Sequence, residues 1–113
     1  MQFPASVREE LRYRPRMLST LEIHERRSSD QVTLALQGEL DFCSGAELAI
    51  KLADEGRLGA RIVVDLTALE FLDSAGMGVL HRAALWAGEE GFTLDLTGPR
   101  PNVARVLRLT NLA

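Results

Sequence analysis

The run Ile62-Val63-Val64-Asp65-Leu66 is apolar on consecutive positions, and it constrains the fold more than any other stretch. A strand with one wet face alternates apolar and polar residues, whereas a strand covered on both faces has no need to. The segment is therefore expected to be a central, parallel strand. Parallel neighbours require long crossovers, normally helical, and helical patterns stand on both sides. Ala46, Leu48, Ala49, Leu52 and Ala53 precede the run, and Met77, Leu80, Ala84 and Ala87 follow it.

The remaining elements fall into place around this strand. Leu21 to Arg27 and Gln31 to Leu40 alternate in the β period about the turn residues Ser28-Ser29-Asp30, which predicts a hairpin. Ser44-Gly45-Ala46-Glu47 has the spacing of a capping box, so the first helix is expected to begin near Gly45 and to stop at Gly56. A second helix is expected from about Ser74 to Gly88, with Gly91 closing that region. Phe92 to Leu96 reads as a strand, Thr97-Gly98-Pro99 as a turn, and Pro101 as the first turn of a helix with Val103, Val106 and Leu107 on one face. The order is β-β-α-β-α-β-α. With 113 residues and 46% apolar content, the chain can build one modest core.

Residues 1–20 differ in character. Pro4 and Pro15, four arginines (Arg8, Arg12, Arg14, Arg16) and little apolar surface describe a flexible arm before a domain over residues 21–113. The arginines could meet a nucleic acid or a membrane surface, but a solvated extension is the plainer reading. A net charge of −3 argues against a phosphate-backbone binder. Cys43 is the only cysteine, which excludes an intrachain disulfide and suits a reducing cytosol. No aliphatic run approaches the roughly 20 residues of a spanning helix, so a cytoplasmic protein without membrane attachment is expected.

The chemistry concentrates in Phe71-Leu72-Asp73-Ser74-Ala75-Gly76-Met77-Gly78-Val79-Leu80, between the central strand and the second helix. Ligands and partners meet open α/β sheets on this edge. Ser74 lacks the partners of a nucleophile. His81 is seven residues further along the helix, roughly 10 Å away at 1.5 Å per residue, and the G-x-S-x-G elbow of hydrolases is absent. Gly76-Met77-Gly78 is no nucleotide fingerprint, since His81 stands at the third glycine position and no Gly-Lys-Ser/Thr follows. Two readings stay open for each feature. Ser74 is either a simple N-cap or a regulatory site; Gly76 and Gly78 either give backbone clearance or leave the helix start open to a partner.

Gly38-Glu39-Leu40-Asp41, Val63-Val64-Asp65-Leu66 and Phe71 to Leu80, in that order, resemble the STAS domain of bacterial anti-sigma factor antagonists. The resemblance runs from about Leu18 to the end. It implies a small α/β sandwich with a mixed four-stranded sheet and helices mainly on one face. It also implies that Ser74 is phosphorylated by an ATP-using anti-sigma factor serine kinase and restored by a serine phosphatase. Asp41, Ser44, Asp73, Ser74, Ala75, Gly76, Met77 and Gly78 would meet the partner, with Leu80 and part of the Gly38 to Ser44 loop flanking them. No catalytic residue, cofactor or metal is implied, nor a nucleic acid or membrane partner; weak self-association is. Ala75 stands where many members have a second serine or threonine. The chain also stops at Ala113, before the further strand-like segment and helix usual in the family. The alternatives are a non-catalytic STAS scaffold in a stress-signalling complex and a STAS sensor of a nucleotide or lipid.

Overall fold

The computed structural model describes residues 21–59 and 61–109; the expected arm, residues 1–20, lies outside them. Strands β1 (Glu22–Arg27), β2 (Gln31–Leu40), β3 (Arg61–Leu72) and β4 (Leu94–Thr97) form one sheet in the order β1-β2-β3-β4. Helix α1 (Phe42–Arg57) connects β2 to β3, α2 (Ser74–Glu90) connects β3 to β4, and α3 (Pro101–Arg108) ends the described chain. β1 pairs antiparallel with β2, while β2/β3 and β3/β4 are parallel. The element order and mixed sheet are those expected from the sequence.

One face of the sheet carries the core. Val32, Leu34 and Leu36 of β2 and Ile62, Val64 and Leu66 of β3 are fully buried. All three helices contribute to the same cluster, through Leu48 and Leu52, Val79 and Leu80, and Val103 and Leu107. β3 is internal and parallel, but its other face is not covered. Val63 and Asp65 are only half-buried, so the consecutive apolar residues reflect the preference of β-branched side chains for a pleated surface as much as burial.

α3 has eight residues, too few to be stable alone, and β3 holds it. Val103 and Leu107 are buried, the Arg100 Nε–H donates to the Thr67 carbonyl at 3.1 Å, and the Asn102 side-chain amide donates to the Glu70 carbonyl at 2.9 Å. Nearby, the Thr67 hydroxyl and N–H donate to Asp65 Oδ1 at 2.6 and 2.9 Å. These bonds, the hydroxyl's first, hold the Asp65 carboxyl below its usual range, with a smaller contribution from the charge of Arg26.

β1 is tied to α1 by charge. Arg27 bridges Glu25 at 2.8 Å and Glu55 at 2.6 Å, and Lys51 reaches Glu25 and, at 3.5 Å, Glu55. The Glu25 carboxyl is held low by its hydrogen bonds to Lys51 and then Arg27, and the Lys51 ammonium is held high chiefly by Glu25. Glu55 is buried, and its Oε2 has no hydrogen-bond partner among the described residues.

Element boundaries differ from the expectations at informative places. α1 starts at Phe42, not near Gly45, because Asp41 is its N-cap. β3 runs to Leu72, beyond Leu66. Its pairing with β2 shifts register between Ala35 and Gln37 and between Gly38 and Glu39, so its far half loses the period of two by which a strand is recognised. β4 begins at Leu94, while Phe92 packs edge-on against Trp86 with ring centroids 4.8 Å apart. Gly91 closes α2 in the left-handed region at φ 78°, as its position promised.

Candidate functional site

β2 and β3 end side by side, with Glu39 opposite Phe71 and Leu40 opposite Leu72. The next residue of each chain segment, Asp41 and Asp73, therefore caps a helix on the same edge of the sheet. Asp41 Oδ1 accepts from the N–H groups of Cys43 and Ser44 at 2.9 and 3.0 Å. Asp73 Oδ1 accepts from the Gly76 N–H at 2.8 Å. The Asp73 N–H in turn donates to the Leu40 carbonyl at 3.3 Å, joining the two junctions. Gly76 packs against the same residue. A Cβ there would lie 2.9 Å from both the carbonyl carbon and the Cγ of Leu40, and closer still to the carbonyl oxygen. Backbone cannot yield as a side-chain tip can, so Gly76 is a clearance position.

Each junction carries a serine, and the two are treated differently. Ser44 is fully buried. Its Oγ accepts from the Asp41 N–H at 2.9 Å and lies 3.1 Å from both the Glu39 carbonyl and Asp41 Oδ1, which share its single proton. The capping box is thus Asp41 with Ser44. The expected pairing of Ser44 with Glu47 does not form, because Ser44 occupies the third helical position and Glu47 is exposed. Ser74 is the first residue of α2, and it too is not the cap, since Asp73 is. Its side chain is exposed, and its hydroxyl forms no hydrogen bond among the described residues.

Of the residues expected to meet a partner, Asp41, Asp73, Ser74, Ala75, Met77 and Gly78 keep accessible surface. Ser44 and Gly76 are buried and shape that surface from beneath. Met77 is half-buried against the core, and Leu80 is fully buried, a core residue. Gly78 gives no backbone clearance, because a Cβ there would meet only the side chain of Arg82. Two residues within the expected segments were not singled out. Phe42 is 82% exposed and Phe71 46%, one following Asp41 and the other preceding Asp73. Both are large apolar residues, and the signal available in the sequence was their position next to the two caps.

The first N–H groups of a helix have no partner within it and carry a positive potential. The start of α2 offers such amides beside an exposed hydroxyl, one carboxylate and two partly exposed aromatic rings. Among the described residues, no side chain hydrogen-bonds the Ser74 hydroxyl. A groove of about 560 Å³ lies elsewhere, lined by Asp30, Arg57, Arg61, Trp86, Glu90 and Phe92 where β3 starts and α1 and α2 end. Among the described residues, no helix is long and apolar enough to cross a membrane.

Comparison with known proteins identifies the fold. The family profile described as "Mlab, STAS domain" matches residues 23–113, and the chain belongs to the STAS domain family. A STAS-domain containing protein of Pseudomonas aeruginosa is 28% identical over 81 residues, 72% of this chain and 80% of that protein. Among solved structures, a putative anti-sigma factor antagonist from Thermotoga maritima superposes with a TM-score of 0.71 at 26% identity, over 80% of this chain and 79% of that one. The Bacillus cell fate determinant SpoIIAA matches in both its forms. The unphosphorylated form gives a TM-score of 0.69 at 23% identity over 81% of each chain. The phosphorylated form gives 0.66 at 22% over 81% and 84%. A further match, Mglu, has a TM-score of 0.63 at 23% identity over 74% of this chain, which spans only 21% of that protein.

Proposed function

We propose that this chain is an anti-sigma factor antagonist that works as a partner switch. The unmodified protein binds an anti-sigma factor serine kinase and so frees a sigma factor; phosphorylation of Ser74 ends the binding, and a serine phosphatase restores it. The domain acts by binding, not by catalysis. The observation that carries this reading is the Ser74 hydroxyl, exposed and without a hydrogen bond among the described residues, beside a helix cap on an edge flanked by exposed Phe42 and Phe71. The similarity to SpoIIAA, a protein found in unphosphorylated and phosphorylated forms, supports it.

A phosphate adds about −1.5 to −2 charges at pH 7 and is tolerated at a helix N-terminus, so the fold survives modification. Next to Asp73 the added charge repels an acidic partner surface. A like-charge contact near a surface costs roughly 1.4 to 4 kcal/mol, about tenfold to a thousandfold in affinity. Titrating a cognate anti-sigma kinase with wild type, Ser74→Ala and Ser74→Asp tests the reading. Ser74→Ala should bind like wild type and Ser74→Asp at least tenfold more weakly. Equal binding by Ser74→Asp, together with no phosphate on wild type after incubation with kinase and ATP, would overturn it.

One observation favours a second reading. The same fold forms about a fifth of the much larger Mglu chain, as a non-catalytic scaffold module would. Stable co-assembly with a larger STAS protein in solution scattering, unaffected by Ser74→Asp, would select that reading.

A further inference from the structure

Arg82 stands two turns after Ser74 on α2. It is exposed, and no ion pair occupies it among the described residues. Its side chain does not extend freely into solvent. Nη1 lies 3.3 Å, and Cζ 3.9 Å, from the point that a Cβ on Gly78 would occupy. The guanidinium is therefore folded back by one turn toward the start of the helix, the direction in which helical side chains lean, over the surface that glycine leaves bare. Ser74 is one turn further on, about 6 Å along the axis.

We infer that Arg82 is the counter-charge of a phosphate on Ser74. The inference rests on the reading of Ser74 as phosphoacceptor and adds the group that senses the modification. In the unmodified protein Arg82 presents an unpaired cation beside the switch, on the wall of the shallow apolar groove that it lines with Ala49, Ala53, Val79, Ala83 and Trp86. In the modified protein the phosphate neutralises that cation. An acidic partner thus loses an attraction at Arg82 and meets a repulsion at Ser74 in one step. The carboxylate of Asp73 accepts from the Gly76 amide and forms no ion pair with Arg82 among the described residues.

The test places phosphoserine at position 74 by chemical ligation or genetic encoding, so that it needs no kinase, and follows the second phosphate ionisation by phosphorus NMR. Phosphoserine titrates near pH 6. A cation about 6 Å away lowers that value by about half a unit at low salt. Wild type and Arg82→Lys should therefore titrate about half a unit below Arg82→Gln, and the gap should close at about 1 M salt. Identical titration of wild type and Arg82→Gln at low salt, or a gap that salt does not reduce, would overturn the inference. Because the phosphate is installed by synthesis, either result is independent of whether a kinase uses Ser74, which the binding and phosphorylation test decides separately.

Discussion

Two junctions on one edge of the sheet begin alike and end differently. At each, a strand runs into an aspartate that caps a helix, and a serine follows. At the start of α1 the serine is in the third helical position, buried and held by the Asp41 capping box. At the start of α2 it is in the first position, exposed and without a hydrogen bond among the described residues. A shift of two residues turns the hydroxyl from part of the cap into a group the cap merely presents. The difference shows that a cap acid beside a serine does not settle whether the hydroxyl is accessible; the place of the serine within the first turn does.

The comparison can be broken by substitution, and the largest effect should come from the joint between the junctions. Gly76→Ala drives a methyl group into the backbone of Leu40 and should destabilise the domain by about 3 kcal/mol, at the upper end for overpacking, read from the denaturation midpoint. Ser44→Ala removes a buried hydroxyl and leaves the Asp41 N–H without its acceptor, a loss of about 2 kcal/mol. Gly78→Ala displaces only the flexible Arg82 side chain. It should stabilise the protein by about 0.5 kcal/mol, since alanine is the better helix former. Ser74→Ala should change stability by less than about 0.5 kcal/mol. If Ser44→Ala and Ser74→Ala proved equally costly, the contrast between lock and switch would be lost.

A third aspartate sharpens the comparison through pH. Asp65 accepts two hydrogen bonds from Thr67 but caps no helix. Its carboxyl titrates lower in the folded than in the unfolded chain. Its stabilisation is therefore complete above the unfolded value of about 4 and is lost as pH falls through the folded value. Asp65→Asn should flatten the decline of the denaturation midpoint below about pH 4, while leaving the titration of a phosphate installed on Ser74 unaltered.

Much of this was legible in the sequence. The order of elements followed from hydrophobic periods that tertiary packing did not override, and the hairpin turn at Ser28 to Asp30 forms as read, with the Ser28 N–H on the Gln31 carbonyl. The family emerged from three segments in order, Gly38 to Asp41, Val63 to Leu66 and Phe71 to Leu80. The start of α1 was misplaced because serine and aspartate are both good caps, and only the strand register decides which one stands at the helix end. The far half of β3 was missed because bulges break its alternation. The exposure of Phe42 and Phe71 was not legible, because a sequence shows how apolar a residue is and not whether something covers it.

The bond from the Asp73 amide to the Leu40 carbonyl has a consequence for how the molecule comes into being. It joins positions about thirty residues apart, so it cannot form until α1 has crossed over and the two parallel strands have aligned, a contact of the slow, non-local kind. A nascent or misfolded chain displays Ser74 as an ordinary residue on a flexible segment. Only a finished sheet displays it at a capped helix start with the aromatic rings of Phe42 and Phe71 alongside. An enzyme that recognises this shape is also inspecting workmanship, and a signalling step built on it is restricted to molecules that have completed folding.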